Sequence, residues 1–260
     1  MPNFKYNFLT IEGEELKVGV YSPYFENCLP QYMEYQLKVF EKLNVNLNQC
    51  LHTKTCPQTN MVRHGEFLNE ISRSEEVDYL VFFDVDAIPL KENFLEILIK
   101  RIHGKKAILG IEQKSNHVDV DNAKKWGGFN SKQFSELKST KQCYAGPACF
   151  VISKDTYQYL GEPSYNETFR SDCGEELSWI ARDKGVEVQY IKFTSCEIPM
   201  WPLREGVKFG IASDYEDLVF HNFQARLSDT DLLVKNPRVN YFINKCETVL
   251  NNDVKVLTRN

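Results

Sequence analysis

The sequence predicts an α/β fold: a mostly parallel central sheet flanked by helices, in a single domain over residues 1–260. Two observations predict it. Strand-like and helix-like segments alternate along residues 1–111, the order that builds a parallel sheet with helices on both faces. The segment Tyr79-Leu-Val-Phe-Phe83 is an unbroken apolar, aromatic and β-branched run, as expected of a strand covered on both sides.

Each element has its own signal. Lys17–Tyr21 reads as the first strand, broken at Ser22-Pro23. Pro30–Leu43 carries apolar residues at helical spacing (Tyr32, Tyr35, Leu37, Phe40, Leu43) behind a proline suited to a first turn. Val45–Leu51 is a second strand, Gly65–Ser72 a short helix, and Tyr79–Phe83 the buried strand, which Pro89 keeps from running on. Glu92–Ile102 is amphipathic and Gly104 is placed to stop it; Lys106–Ile111 is another strand. Gln113–Lys141 turns polar, with Trp126-Gly-Gly-Phe129 inside it, and reads as a loop-rich insertion or a short hairpin. Ala148–Ile152 resumes as a strand, followed by helices over Asp155–Leu160 and Glu175–Lys184 and a strand over Val186–Ile191. Asp217–His221 is a short strand ending on a histidine, and Asn236–Leu250 closes the chain as a helix.

Bulk properties narrow the function. A hydrophobic share of 42% and a charged share of 26% are those of an ordinary globular protein with a sizeable core. The net charge of −5 gives no electrostatic basis for binding nucleic acid, so a polyanionic substrate requires a local basic site or a metal. No stretch approaches the ~18 uninterrupted apolar residues of a membrane helix, and the first residues lack the apolar core of a signal peptide. A cytoplasmic protein with no integral membrane segment is the expectation. The eight cysteines are scattered and none form a Cys-x-x-Cys pair, so reduced, mostly buried thiols are expected rather than disulfides. The sequence carries no signal of oligomeric state.

Four groups of residues carry chemistry. Asp84 and Asp86 follow the buried strand directly, at the carboxyl end where open α/β sheets place ligands. Two carboxylates one residue apart suit Mg2+ or Mn2+, or else simply cap a turn. His221 also ends a strand; with the carboxylates it would favour Mn2+ over the oxygen-preferring Mg2+, and by itself it is an ordinary core or surface histidine. Asp172-Cys-Gly174-Glu175-Glu176 opens a helix: its acids either complement the helix dipole or provide a general base near a substrate hydroxyl. Tyr144-Ala-Gly146-Pro147 places small residues just before a strand, for a close backbone approach to a ligand or for a tight turn.

Together these segments, in order over roughly residues 17–222, resemble a glycosyltransferase of the GT-A (Rossmann-like) fold, most similar to family-2-like enzymes. Arg63-His64-Gly65-Glu-Phe-Leu68-Asn69 resembles the short helix before the acidic strand, and Phe83-Asp84-Val85-Asp86 the Asp-x-Asp motif. Ala145-Gly146-Pro147 resembles the segment lining the acceptor side, Gly174-Glu175-Glu176 the acidic helix start of inverting members, and Phe220-His221 the late histidine of the metal shell.

The resemblance implies a metal-dependent transfer of a sugar from a nucleoside-diphosphate sugar, UDP favoured, to a glycan or other hydroxyl acceptor. Tyr21 and Ser22 would meet the base and ribose; His64, Asp84, Val85 and Asp86 would line the donor site. Asp84, Asp86 and His221 would hold Mn2+ or Mg2+. Glu176 falls at the base position, with Glu175 and Asp172 beside it, and inversion follows from that placement. The family's usual residue there is Asp, whereas this chain has Glu, and a Gly-Glu-Glu helix start also occurs in some retaining transferases. Trp126, Gly127 and Gly146 would serve the acceptor. The donor half would span about 1–111, the acceptor half about 112–222, and a helical tail about 223–260. The alternatives are a non-catalytic sugar- or nucleotide-binding module of the same fold, or a sugar-nucleotide nucleotidyltransferase. The latter resemble one another in a Gly-rich basic loop after the first strand, which Tyr21-Ser-Pro-Tyr-Phe-Glu-Asn27 lacks.

Overall fold

A computed structural model describes residues 3–26, 28–52, 64–114, 143–166, 173–199, 210–223 and 238–252. Strands β1 (Asn7–Ile11) and β2 (Glu14–Phe25) form a hairpin across Glu12 and Gly13, whose φ angles are 52° and 89°. A two-residue turn of this kind matches the twist of antiparallel strands. Helix α1 (Pro30–Lys42) leads to β3 (Asn48–His52), and α2 (His64–Ser74) leads to β4 (Tyr79–Phe83). β3 and β4 both run parallel to β2 on its opposite edges. The chain thus leaves β2 first to one side and then to the other. That reversal makes the carboxyl ends of β2 and β4 a topological switch point, where such sheets bind ligands.

Beyond β4 come β5 (Ala87–Pro89), α3 (Phe94–Ile102) and β6 (Ala107–Lys114). β7 (Cys143–Ser153) runs antiparallel between β4 and β6. Helices α4 (Lys154–Tyr159) and α5 (Glu175–Asp183) return the chain to β8 (Glu187–Ile191), parallel to β6. Five strands of this seven-stranded sheet, β2, β3, β4, β6 and β8, point the same way, and β1 and β7 are reversed. β9 (Phe193–Pro199), β10 (Gly210–Tyr215) and β11 (Val219–His221) join β5 in a second, antiparallel sheet, and α6 (Arg238–Asn251) packs on α1.

The two faces of the main sheet bury separate sets of side chains. Val81 and Phe83 of β4 point into a cluster with α1, α3, α6 and the second sheet, where the rings of Phe40, Phe83 and Phe94 meet edge to face within 5.9 Å. Leu80 and Phe82 point the other way, into α2, α4 and α5. Every residue of β4 is therefore buried, as its unbroken apolar run requires. Fully burying each such side chain contributes about 1.5–3 kcal/mol.

The observed elements extend the expected ones. The first strand does not break at Ser22-Pro23 but runs to Phe25. β4 pairs with β2 only as far as Tyr21, so Pro23 lies where β2 is paired on one side alone, a place a strand tolerates proline. Tyr144–Pro147 is not a turn ahead of a strand but part of β7. The seven described cysteines are unbonded thiols, and Cys56 lies outside the described residues. Among the described residues, no helix is long and apolar enough to cross a membrane.

Candidate metal centre

The end of β4 is a four-residue turn. The Ala87 amide donates to the Asp84 carbonyl at 2.9 Å, closing Asp84-Val-Asp-Ala87 into a β-turn with Asp at its first position. The Asp84 amide donates to the Ala148 carbonyl of β7 at 3.1 Å, which anchors the turn to the sheet. From α1, the fully buried Gln36 donates its side-chain amide to the carbonyls of Asp84 (2.7 Å) and Ala87 (2.8 Å), the two ends of the turn. On the far side the Asn222 amide donates to the Asp86 carbonyl at 2.9 Å.

β11 pairs antiparallel with β5 so that His221 lies opposite Ala87. This register brings His221 Nε2 to 3.4 Å from Asp86 Oδ1 and 3.7 Å from Asp84 Oδ2. Asp84, Asp86 and His221 each present one donor atom, all within 4.8 Å of one another. His221 and Asp86 are buried, while Asp84 keeps a quarter of its side chain exposed. Burial opposes the charged imidazole, but Asp86, by charge and hydrogen bond, and then Asp84 outweigh it and raise the His221 pKa. Phe223 holds φ at 58°, an uncommon conformation for a bulky residue, and its ring stands edge-on to His221 at 5.9 Å.

Two carboxylates and an imidazole converging on one point form a donor set for a divalent cation. The oxygen ligands suit Mg2+ and Mn2+ alike, and the nitrogen suits Mn2+ better. Three protein ligands leave room for oxygens of a bound substrate. The chemistry of the residues therefore fits the expected metal.

His64 opens α2, and its Nε2 lies 3.2 Å from Asp84 Oδ1. The start of α2 is clamped by the segment before α5: Asn69 Oδ1 accepts from the Tyr165 amide, and Asn69 Nδ2 donates to Ser164 and Asn166. A Cβ on Gly65 would stand 2.6 Å from the Asn166 backbone, so this approach requires glycine.

At α5, Gly174 caps the helix with φ at 76°, Glu175 is buried, and Glu176 is half-buried. The Ala145 amide donates to Ser178 Oγ at 3.1 Å, which ties α5 to β7. Ala145 is three residues from Ala148, the partner of Asp84, so at most about 11 Å of chain separates the two anchor points. The acidic end of α5 and the acidic turn therefore attach to the same short stretch of β7.

Other expected site residues are placed differently. Tyr21 is fully buried, its ring folded back over Gly19 and its phenol donating to Glu75 Oε2 at 3.0 Å, with Tyr6 donating to the same oxygen. It has no surface to offer a base or ribose. Ser22 is buried as well, and the half-buried residues at the end of β2 are Tyr24 and Phe25. Gly146 is buried within β7, where a Cβ would stand 2.4 Å from Gln113 Oε1, so strand packing already accounts for this glycine. Val85 is a buried core residue of the turn. Asp172, Trp126 and Gly127 lie outside the described residues. Sequence reasoning missed Gln36, although a lone amide on the apolar stripe of α1 (Tyr32, Gln36, Val39, Phe40) signals a buried group that must find partners.

No family model and no curated protein matches this chain. Solved structures do match, at low similarity. The catalytic domain of Drosophila β1,4-galactosyltransferase 7, complexed with xylobiose, is 12% identical over 66% of this chain, with a TM-score of 0.39. A Pyrobaculum calidifontis mannosyltransferase complexed with GDP-Man and Mn2+ is 11% identical over 72% of this chain, with a TM-score of 0.43. A CMP–2-keto-3-deoxy-manno-octonic acid synthetase complexed with CTP is 9% identical over 67% of this chain, with a TM-score of 0.39. The chain spans 63%, 58% and 89% of those three chains respectively. Likenesses this distant include transferases and a synthetase, and they do not choose between them.

Proposed function

We propose that this chain is a metal-dependent glycosyltransferase that moves a hexosyl or pentosyl group from a nucleoside-diphosphate sugar, with UDP favoured, to a hydroxyl of a glycan or other acceptor. The observation that carries the reading is the convergence of Asp84, Asp86 and His221 beside the switch point of the sheet. A polyanionic donor needs local positive charge in a chain of net charge −5, and a divalent cation held by these three residues would answer that need.

Bound by Asp86, His221 and Asp84, Mn2+ or Mg2+ would supply Lewis acidity at the diphosphate. Asp84 would also face the ribose side, with His64 Nε2 3.2 Å from its Oδ1. The base and ribose meet the half-buried end of β2, Tyr24 and Phe25, rather than the buried Tyr21. Glu176 acts as general base: its carboxylate takes the acceptor hydroxyl proton as the oxygen bonds to the anomeric carbon and the bond to the diphosphate breaks. A direct displacement of this kind inverts the anomeric centre. The donor half then comprises residues up to about 111 and the acceptor half those up to about 222.

A thermal-shift screen of nucleoside-diphosphate sugars with and without Mn2+ tests the reading, because a ligand of the native state raises the melting temperature by mass action. A rise that needs both one nucleotide class and the metal supports it. No shift with any donor, in a protein that is folded and binds Mn2+, would overturn it in favour of another metal-dependent chemistry.

A further inference from the structure

We infer that Gln36 is a positioning residue for the metal centre, fixing the spacing of Asp84 and Asp86 through the backbone of their turn. The inference rests on the proposed metal-binding role of that turn. Gln36 lies on the buried face of α1, among Tyr32, Val39 and Phe40, where an amide is out of place unless it is fully hydrogen-bonded. Its side chain meets that demand in one way. Nε2 donates one hydrogen to the Asp84 carbonyl at 2.7 Å and the other to the Ala87 carbonyl at 2.8 Å. Oε1 accepts from Gln49 Nε2 at 3.1 Å, and Gln49 Nε2 also donates to the Met33 carbonyl at 2.9 Å, back in α1. The direction of the amide is therefore set: only nitrogen can face the turn.

The geometry is specific to the ligands. A β-turn can be closed by its own bond from Ala87 to Asp84 and still pivot. Gln36 grips both of its ends, residues i and i+3, while the Asn222 amide grips the carbonyl of residue i+2 from the opposite side. Asp86 and Asp84 project from a backbone held at three carbonyls, and Asn222 is the neighbour of His221. The turn and the histidine strand are locked to one another and to α1 before any cation arrives. Groups that orient ligands without touching the metal typically change affinity 10–100-fold when removed.

The test is Mn2+ affinity measured by electron paramagnetic resonance, together with the melting temperature of the metal-free protein. Gln36→Met keeps length and apolar volume but has no donor. The expected result is an affinity at least about tenfold weaker than that of the parent protein, with an altered spectrum of the bound ion. Gln49→Met, a change at a half-buried residue, removes the donor that holds Gln36 Oε1 in place and should weaken affinity in the same direction, keeping the test usable if the first variant does not fold. Gln36→Asn, which keeps the donor on a shorter arm, should recover part of the loss. Lowered melting temperatures with unchanged Mn2+ affinity in both Met variants would overturn the inference and leave Gln36 a core residue, with the metal centre intact. If the parent protein binds no Mn2+, the reading of the centre itself falls, and this inference falls with it.

Discussion

His64 Nε2 lies 3.2 Å from Asp84 Oδ1, bringing the first residue of one helix against the first residue after the central strand. The contact leaves Asp84 Oδ2 as the oxygen nearer His221, at 3.7 Å. His64 and His221 thus stand beside different oxygens of the Asp84 carboxylate. His64→Ala should weaken Mn2+ affinity by about tenfold while barely moving the melting temperature, since the residue is at a helix end outside both apolar clusters. A metal titration of parent and variant checks this; equal affinities would mean that the turn alone orients Asp84.

Asp86→Asn keeps the size of a buried side chain and removes its charge. The variant should stay folded and lose the Mn2+-dependent rise in melting temperature. His221→Ala should weaken the same rise. If both variants respond to Mn2+ like the parent, the cation binds elsewhere.

Glu176→Gln should reduce turnover by at least ~10²-fold with donor binding retained, the scale of a lost general base. Steady-state kinetics beside a donor titration separates the two effects. Near-normal turnover would move the base to Glu175 or Asp172.

Gly19→Ala should destabilise the fold by about 1–3 kcal/mol, the usual penalty for overpacking. The added Cβ would stand 2.3 Å from Tyr21 Oη and 2.5 Å from its ring, so the whole side chain must shift away from Glu75. Urea unfolding checks it. A change below about 0.5 kcal/mol would mean the ring moves freely, contrary to its complete burial.

Much of the frame was legible because burial writes itself into composition. Tyr79–Phe83 was read with its observed ends, since a strand covered on both faces leaves no ambiguity of period. Asp84, Asp86 and His221 stand out as strand-end candidates because they follow or end apolar runs. What escaped reading depends on pairing. The β1–β2 hairpin hinges on positive φ at Glu12, and β5 is a three-residue strand stabilised by β11, a neighbour distant in sequence. The reversed direction of β7 leaves no trace in its composition. The Ser22-Pro23 break predicts a strand that ends at Tyr21, beside a ligand; pairing with β3 carries β2 four residues further, and the phenol finds Glu75 instead.

The seam between the two sheets has a consequence for how the protein is made. Asp84 and His221 are 221 − 84 = 137 positions apart and meet only when β11 pairs with β5. A nascent chain that has emerged as far as β7 already owns a complete acidic turn, yet has no histidine to complete it. Contacts of such long sequence separation close slowly, after local ones have formed. On the proposed metal-binding role, capture of the cation would await the docking of the second sheet, and the finished centre would then tie early- and late-made parts of the sheet seam together against unfolding.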